Sequence, residues 1–549
     1  MLRSNVAVVL LLSTLFLAYA AHAGPVMKVG VDHAIAFNRQ FGSGDERPFG
    51  SRAMLIRGEV VLYKAAASAN HRGYTVFVPC AEHLTKSALQ QLAGPGPSAS
   101  ARGLIIELCD TDSTNEDTLS FFFSTTAVDI PVYFLPHGSA SKELSQHLSA
   151  AAQGSTTERV VLSVAKSVKL SELVANSTLP SSIIESQYVH GLKKASKNSA
   201  PAATLPQVLV TAHFDSLGVS PASRTSGGAS GAVAAMELWR RLTSTSNAQQ
   251  KSSTPYGVTV VLGSTSRFNY AGTTSWISQH TDEELDAFRS VLCLDELLPP
   301  HETSKDAPDL YLHVQDALMK RPHGQLVVEQ VGTAAKALGI SLKVVSAKTN
   351  YQHYDLRFEH EVFASRQMAA MTLSTHRTHH IDQIFRDIRR PPVTAADAAL
   401  LAKRVDFVEA IVRIISGAAS SAESATSVWP GAASHIQGMM EYATESHRSP
   451  VVHNGADLQQ FADGVGHHMR AQATAVQRDP LTSASSVVTH QRLRTPGITL
   501  LGPYEETMEV FLAKSYLFEC AVAVAVLMAL LAFLHMEVGL KVALRLFYD

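Results

Sequence analysis

Cysteine is scarce in this chain. Its 549 residues carry four, Cys80, Cys109, Cys293 and Cys520, too few for a disulfide-built scaffold. Cys80 and Cys109 each close an apolar run, 74–80 and 103–109. A bridge between neighbouring strand ends is one option there, and two free thiols are the other. Charge of one sign is lacking as well: the formal net charge is −2, with 17% charged residues. No Lys/Arg cluster interrupts that balance, which excludes the electrostatic footprint of a nucleic-acid binder.

Long apolar runs sit at the two ends. Arg3 precedes an apolar stretch from Val6 to Ala20, and Ala21-His22-Ala23 supplies a small-residue cleavage site, so residues 1–23 read as a secretory signal peptide. Tyr516 to Met536 holds one acid, Glu519, and is long enough for a bilayer core of ~30 Å. Residues 515–537 are therefore expected to span a membrane once. Lys541 and Arg545 in the tail 538–549 put the C-terminus in the cytosol and everything earlier in the lumen. In that compartment Asn176-Ser177-Thr178 is a glycosylation acceptor. Glu519 is expected either to contact a membrane partner or to sit among lipid headgroups.

Between the ends the pattern is α/β. Residues 24–197 alternate strands (59–63, 74–78, 103–108, 131–135, 160–164) with helices (85–92, 141–151), which predicts a smaller α/β domain. Residues 198–417 carry strands at 207–212, 257–263, 290–294, 310–314, 342–346 and 370–373, several of them apolar throughout, as strands buried on both faces are. A helix opens at 227–231, and another follows Pro391-Pro392 with Thr394 and Asp397 in capping-box spacing, ending before Gly417. From 418 to 514 the sequence turns to Ala, Ser, Gln and His, with thin apolar stripes. The expectation there is a helical stalk with flexible joints or a disordered tether.

His213-Phe214-Asp215 ends the strand 207–212. A strand-end His-x-Asp suits a metal half-site in which the carboxylate orients the imidazole. The order His213-x-Asp215, then Ala229-Ser230-Gly231 opening a helix, then Asp295 closing a later strand resembles the zinc aminopeptidases of the M28 type. That resemblance implies a mixed sheet flanked by helices and two zinc ions at the strand ends. Their ligands would be His213, a bridging Asp, a Glu-Glu pair, Asp295 and a late His, here His376 with His379 and His380 as competitors. The bridging position instead holds Ser226, and the Glu-Glu position holds Ser266-Arg267. Two zinc ions require bridging and flanking anions, and the attacking water requires a base. The chain is thus expected to be a pseudo-peptidase without a cofactor, its pocket vestigial. A single weakly held metal on His213 and Asp295 is the alternative.

The departures match one branch of the family. Phe268-Asn269-Tyr270-x-Gly272-Thr273, Phe358-Glu359-His360-Glu361-x-Phe363 and Phe49-Gly-Ser-Arg52 resemble the nicalin family, nicastrin-like proteins of the endoplasmic reticulum. Ser226 departs even from that family, which keeps the Asp. The resemblance implies a non-catalytic scaffold in the endoplasmic-reticulum membrane. Its partners would be a Nomo-like lumenal protein, a small multi-pass membrane protein and the translocon, and its task would be to assist the insertion of multi-pass proteins. A membrane-anchored zinc aminopeptidase with altered ligands and a nicastrin-like substrate receptor are the competing readings. His360 is expected to be a packed core histidine.

Overall fold

The computed structural model describes residues 25–34, 36–41, 45–51, 56–64, 71–80, 83–94, 100–108, 118–119, 122, 126–153, 158–164, 171–172, 179–190, 206–217, 229–244, 256–298, 309–349, 358–378, 393–418, 429, 431–451, 455–476, 485–493, 498–502, 505–514 and parts of 520–545. Residues 1–23, Cys109, Asn176, Ser226, His379, His380 and Glu519 lie outside this set.

In chain order the strands are β1 (Pro25–His33), β2 (Ala36–Phe41), β3 (Asp45–Ser51), β4 (Arg57–Leu62), β5 (Thr75–Val78), β6 (Gly103–Leu108), β7 (Ala127–Val128), β8 (Val132–Pro136), β9 (Glu158–Val164), β10 (Ser171–Glu172), β11 (Leu179–His190), β12 (Gln207–His213), β13 (Tyr256–Gly263), β14 (Phe288–Leu294), β15 (Leu310–Gln315), β16 (Leu342–Ala347), β17 (Ala370–Ser374), β18 (Ser485–Leu493), β19 (Ile498–Gly502) and β20 (Glu505–Lys514). The helices that matter here are α1 (Lys86–Ala93), α2 (Ser139–Ala152), α3 (Ala229–Ser244), α4 (Ala271–Gln279), α5 (Pro322–Ala337), α6 (His360–Ala364), α7 (Ala395–Ser416), α8 (Ala432–Glu445) and α9 (Ala456–Val476).

The eight-stranded sheet runs β16-β15-β17-β14-β12-β13-β11-β18 and is mixed, with β12 parallel to both β13 and β14. Residues 256–263 of β13 are buried throughout, as a strand covered on both faces must be. α7 starts in the expected box: the Thr394 hydroxyl accepts the Asp397 amide (3.2 Å), and the Asp397 carboxylate accepts the Thr394 amide (3.0 Å). It stops at Gly417, whose φ of 77° suits glycine.

Three expectations need correction. First, the small N-terminal unit is a closed barrel, β1-β20-β9-β4-β5-β6-β8, beside a five-stranded sheet β10-β19-β2-β3-β7. It is completed by β19 and β20 from the far end of the chain. Second, the boundary at 197 is misplaced, because β11 already belongs to the large sheet, paired with β13 and β18. Third, the described residues of 418–514 form no stalk but pack onto the rest of the molecule. α8 buries Ile436, Met440 and Ala443, and Leu458, Phe461, Ala462, Val465 and Met469 of α9 join the main core. Those five α9 residues follow an i, i+3, i+4, i+7, i+11 stripe, narrow but wholly buried. The Trp239 indole N–H of α3 donates to the Met469 carbonyl (3.1 Å).

Charge also ties these helices together. Glu237 of α3, fully buried, accepts from Arg240 (2.6 Å) and Arg241 (3.0 Å) and lies 2.9 Å from His435 of α8. Burial alone would push that carboxyl up, but the hydrogen bonds from Arg240, His435 and Arg241 outweigh it and bring Glu237 to about 2. Arg241 reaches on to Asp406 (2.6 Å) of α7.

Among the described residues no helix is long and apolar enough to cross a membrane. Residues 520–528 are helical, and Val524, Val526, Leu527 and Met528 are exposed. Cys80 is disulfide-bonded, whereas Cys293 and Cys520 are free.

Candidate functional site

The C-terminal ends of β12, β13 and β14 converge on one small pocket lined by His213, Ser266, Arg267, Tyr270, Leu294 and Asp295, with room for little more than a single water. Of the expected site residues, the fold brings His213, Ser266, Arg267 and Asp295 together. Asp215 and His376 stand just behind them.

His213 is the last residue of β12, opposite Gly263 of β13. The loop after it is clamped from the C-terminal helices: Arg448, between α8 and α9, donates to the Phe214 carbonyl (2.7 Å), and the Ser216 amide donates to the Arg448 carbonyl (3.0 Å). Arg448→Ala removes a charged donor from a buried carbonyl and is expected to cost about 1–3 kcal/mol. Chemical denaturation against the parent chain measures it.

Asp215 does not orient the imidazole, contrary to the sequence expectation. Its Oδ1 accepts the Ser266 amide (3.1 Å). The carboxylate that faces His213 is Glu359, at the start of α6, with Oε2 3.1 Å from His213 Nε2. This is an ion-pair contact off the hydrogen-bond direction, since neither ring nitrogen has an aligned partner among the described residues. Glu359 also accepts the hydroxyls of Thr211 (2.7 Å) and Thr273 (2.8 Å). Sequence reasoning passed over it. The signal was two acids, Glu359 and Glu361, inside an apolar segment, because a carboxylate buried there requires donors.

Burial pulls the His213 pKa down, but the charge of Glu359, helped by Asp215 and Asp295, outweighs it and leaves the imidazole raised. For Glu359, burial pushes up and the His213 charge with the two threonine hydroxyls wins, leaving it lowered. A raised histidine stabilises fully below its ordinary 6.5 and loses the contribution as pH climbs through its folded value. A lowered Glu stabilises fully above its ordinary 4.5 and loses it as pH falls through its folded value. The stability difference between the parent chain and Glu359→Gln is therefore expected to plateau from 4.5 to 6.5 and shrink on both sides. Denaturation midpoints across pH measure it.

Arg267 is carried by a loop with three left-handed non-glycine residues, Thr265 (φ 62°), Asn269 (φ 58°) and Tyr270 (φ 53°). Such backbone persists only where its surroundings enforce it. The Gly272 amide bonds to Thr265 Oγ1 (2.9 Å), and the Tyr270 ring lies 5.2 Å from that of His213. The guanidinium sits 3.5 Å from buried Glu296, which also holds His376 Nε2 at 2.8 Å. Asp295 Oδ2 accepts the Ser374 hydroxyl (2.7 Å). His360 is a core residue: Thr372 Oγ1 lies 2.9 Å from Nδ1, and burial with the neighbouring His313 lowers its pKa to about 3.

The Ala-Ser-Gly segment has a structural task. Ser230 Oγ accepts the amides of Leu297 (2.8 Å) and Leu298 (3.3 Å), and Gly231 lets α3 approach the backbone at Leu294 and Asp295. Zinc does not fit the residues present. Glu359 occupies the Nε2 side of His213, a guanidinium lines the pocket, and Asp295 and Glu296 are taken by Ser374, His376 and Arg267. Among the described residues no three His, Cys, Asp or Glu side chains are grouped to hold a metal.

No family model matches the chain. Curated proteins do. BOS complex subunit ncln of Danio rerio is 26% identical over 265 residues, 46% of this chain and 45% of that protein. The Gallus gallus NCLN protein is 25% identical over 395 residues, 69% and 65% of the two chains. The Homo sapiens protein is 25% identical over 300 residues, 52% and 51%. The chain is a homologue of nicalin. It spans about half the length of most curated relatives it matches, 45–51% for the Danio rerio and Homo sapiens proteins. Among solved structures, an aminopeptidase from Aneurinibacillus sp. strain AM-1 aligns over 73% of this chain and 85% of its own (14% identity, TM-score 0.29). A zinc aminopeptidase from Bacillus subtilis aligns over 72% and 88% (14% identity, TM-score 0.30).

Proposed function

We propose that this nicalin homologue is a non-catalytic scaffold subunit of a BOS-type complex in the endoplasmic-reticulum membrane. It is single-pass, with a lumenal N-terminus and a cytosolic C-terminus, and it assists multi-pass protein insertion at the translocon. The observation that supports this reading is the Arg267 guanidinium between His213, Asp295 and Glu296, where a peptidase of this kind would need bare carboxylates for a second metal. The curated relatives are named as complex subunits and not as peptidases. In this reading residues 1–23 are removed as a signal peptide, 515–537 span the bilayer with Glu519 near a membrane partner, Asn176 carries a glycan, and Cys109 is the mate of Cys80. The partners are a Nomo-like lumenal protein, a small multi-pass protein and the translocon.

The test is purification of the full chain from mild detergent, with metal analysis, peptide-hydrolysis assay and identification of co-purifying proteins. Translocon components with sub-stoichiometric zinc are expected. Stoichiometric zinc with hydrolysis abolished by His213→Ala would overturn the reading in favour of an aminopeptidase. Presenilin-like partners would overturn it in favour of a substrate receptor.

A further inference from the structure

Three helices meet around a histidine pair. Near the start of α8, His435 stacks on His468 of α9, with ring centroids 5.6 Å apart and planes 20° from parallel. Glu237 of α3 lies 2.9 Å from His435 Nδ1. An ionised carboxylate only accepts, so Nδ1 carries a proton in both charge states and Nε2 is the nitrogen that titrates. Nε2 is buried without a partner among the described residues. On the other ring, Gln472 lies 2.8 Å from His468 Nε2. Its amide offers both an N–H and a carbonyl oxygen, so it can serve that nitrogen neutral or protonated. Hydrogen bonding therefore does not fix the charge of His468, and the surrounding charges do.

On α3, Glu237 already accepts from Arg240 and Arg241, and at about 2 it stays ionised across the range in which histidines titrate. On α7, Asp406 takes Arg241 at 2.6 Å, and Glu409 takes Arg413 and the Trp429 indole N–H. On α8, Glu441 is exposed and accepts from Gln437 (3.0 Å). On α9, Asp463 is held 2.9 Å from His490 of β18, while His467 and Arg470 are exposed. The charges that bear on His468 are those of two other histidines. Burial first, then His435 and His467, lower its pKa from the ordinary 6.5.

We propose that the α8–α9 seam is an acid-sensitive latch, in which a proton on His468 beside His435 drives α9 off α3 and α8. Glu237 tethers His435, and α8 with it, so α9 is the element that moves. Met469, next to His468, belongs to the buried stripe of α9, and its carbonyl accepts the Trp239 indole N–H. Withdrawing His468 breaks that contact and uncovers Phe461, Ala462 and Val465 along with it. Because His468 is lowered in the folded chain, its contribution is complete above 6.5 and is lost as pH falls from 6.5 through the folded value. One linked proton raises the open fraction about tenfold per pH unit across that interval. In a lumen near neutral pH the latch is shut, and carriage to a more acidic compartment opens it. Only this last consequence rests on the localisation proposed above.

Hydrogen exchange of the full chain in mild detergent tests this between about pH 7.5 and about pH 5.5, the window of histidine titration. The amides of α9 are read against those of α5, with intrinsic rates corrected for pH. In the parent chain α9 is expected to lose protection relative to α5 as pH falls below 6.5, and in His468→Gln its protection is expected to stay flat. His435→Gln removes one of the two charges acting on His468 and should give a shallower loss. Flat protection of α9 in the parent chain overturns the proposal. A loss of equal size in His468→Gln also overturns it, and assigns the acid response to another group such as Asp406, whose carboxyl is pushed up by burial. Should His468→Gln lose α5 protection at neutral pH and so be unfolded, His435→Gln decides, and a loss as steep as the parent's overturns the proposal.

Discussion

Glu359→Leu is expected to destabilise the chain by about 3–5 kcal/mol, the cost of breaking a buried ion pair from one side. The substitution leaves His213 buried 3.1 Å from where its counter-charge stood, and takes away the carboxylate to which the hydroxyls of Thr211 and Thr273 donate. Removing His213 as well should recover part of the loss, because replacing both members of such a pair by apolar groups is far cheaper than removing one. Urea denaturation of Glu359→Leu, His213→Leu and the double variant closes the cycle. Additive losses would show that the two groups do not act as a pair. A second consequence concerns the pocket. Glu359 holds His213 from below, so its loss should free the imidazole, and zinc titration of Glu359→Leu should still show no tight site while Arg267 remains.

Gly231→Ala is expected to be at least as damaging, about 3 kcal/mol or more, because the clash is with backbone. A Cβ there would stand 2.7 Å from the Leu294 carbonyl oxygen and closer still to that of Asp295. Neither can retreat, since the Asp295 amide is bonded to Leu373 (3.0 Å) and β14 is locked between β12 and β17. Gly332→Ala, in the middle of α5, is the matched control. Its Cβ meets nothing within 4 Å, so it should raise stability by about 0.8–1.0 kcal/mol through helix propensity. Opposite signs for the two substitutions in thermal melts would establish that Gly231 is fixed by close approach and not by helix chemistry. Equal signs would refute it.

The Gly231 result bears on how the Ala-Ser-Gly segment should be understood. In the sequence it resembles the approach to a metal site. In the structure Ser230 and Gly231 dock the first turn of α3 onto the end of β14, and that docking needs no metal.

What the sequence determined by itself was the local. Continuous apolar runs marked β12, β13 and β14, since strands buried on both faces have nothing polar to show. The Thr394–Asp397 box and Gly417 marked both ends of α7, since capping is decided within a turn. Ser266 and Arg267 were legible as a hydroxyl and a cation just after β13. Only the tertiary structure decided the rest, and each case is a long-range pairing. β18, β19 and β20 pair with strands some 300 or more residues earlier in the chain, so no local pattern names their partners. The α9 stripe is too narrow to announce burial until Trp239 and the large sheet stand against it. Glu359 joins His213 from 146 positions away, and a carboxylate's meaning depends on the donors that surround it.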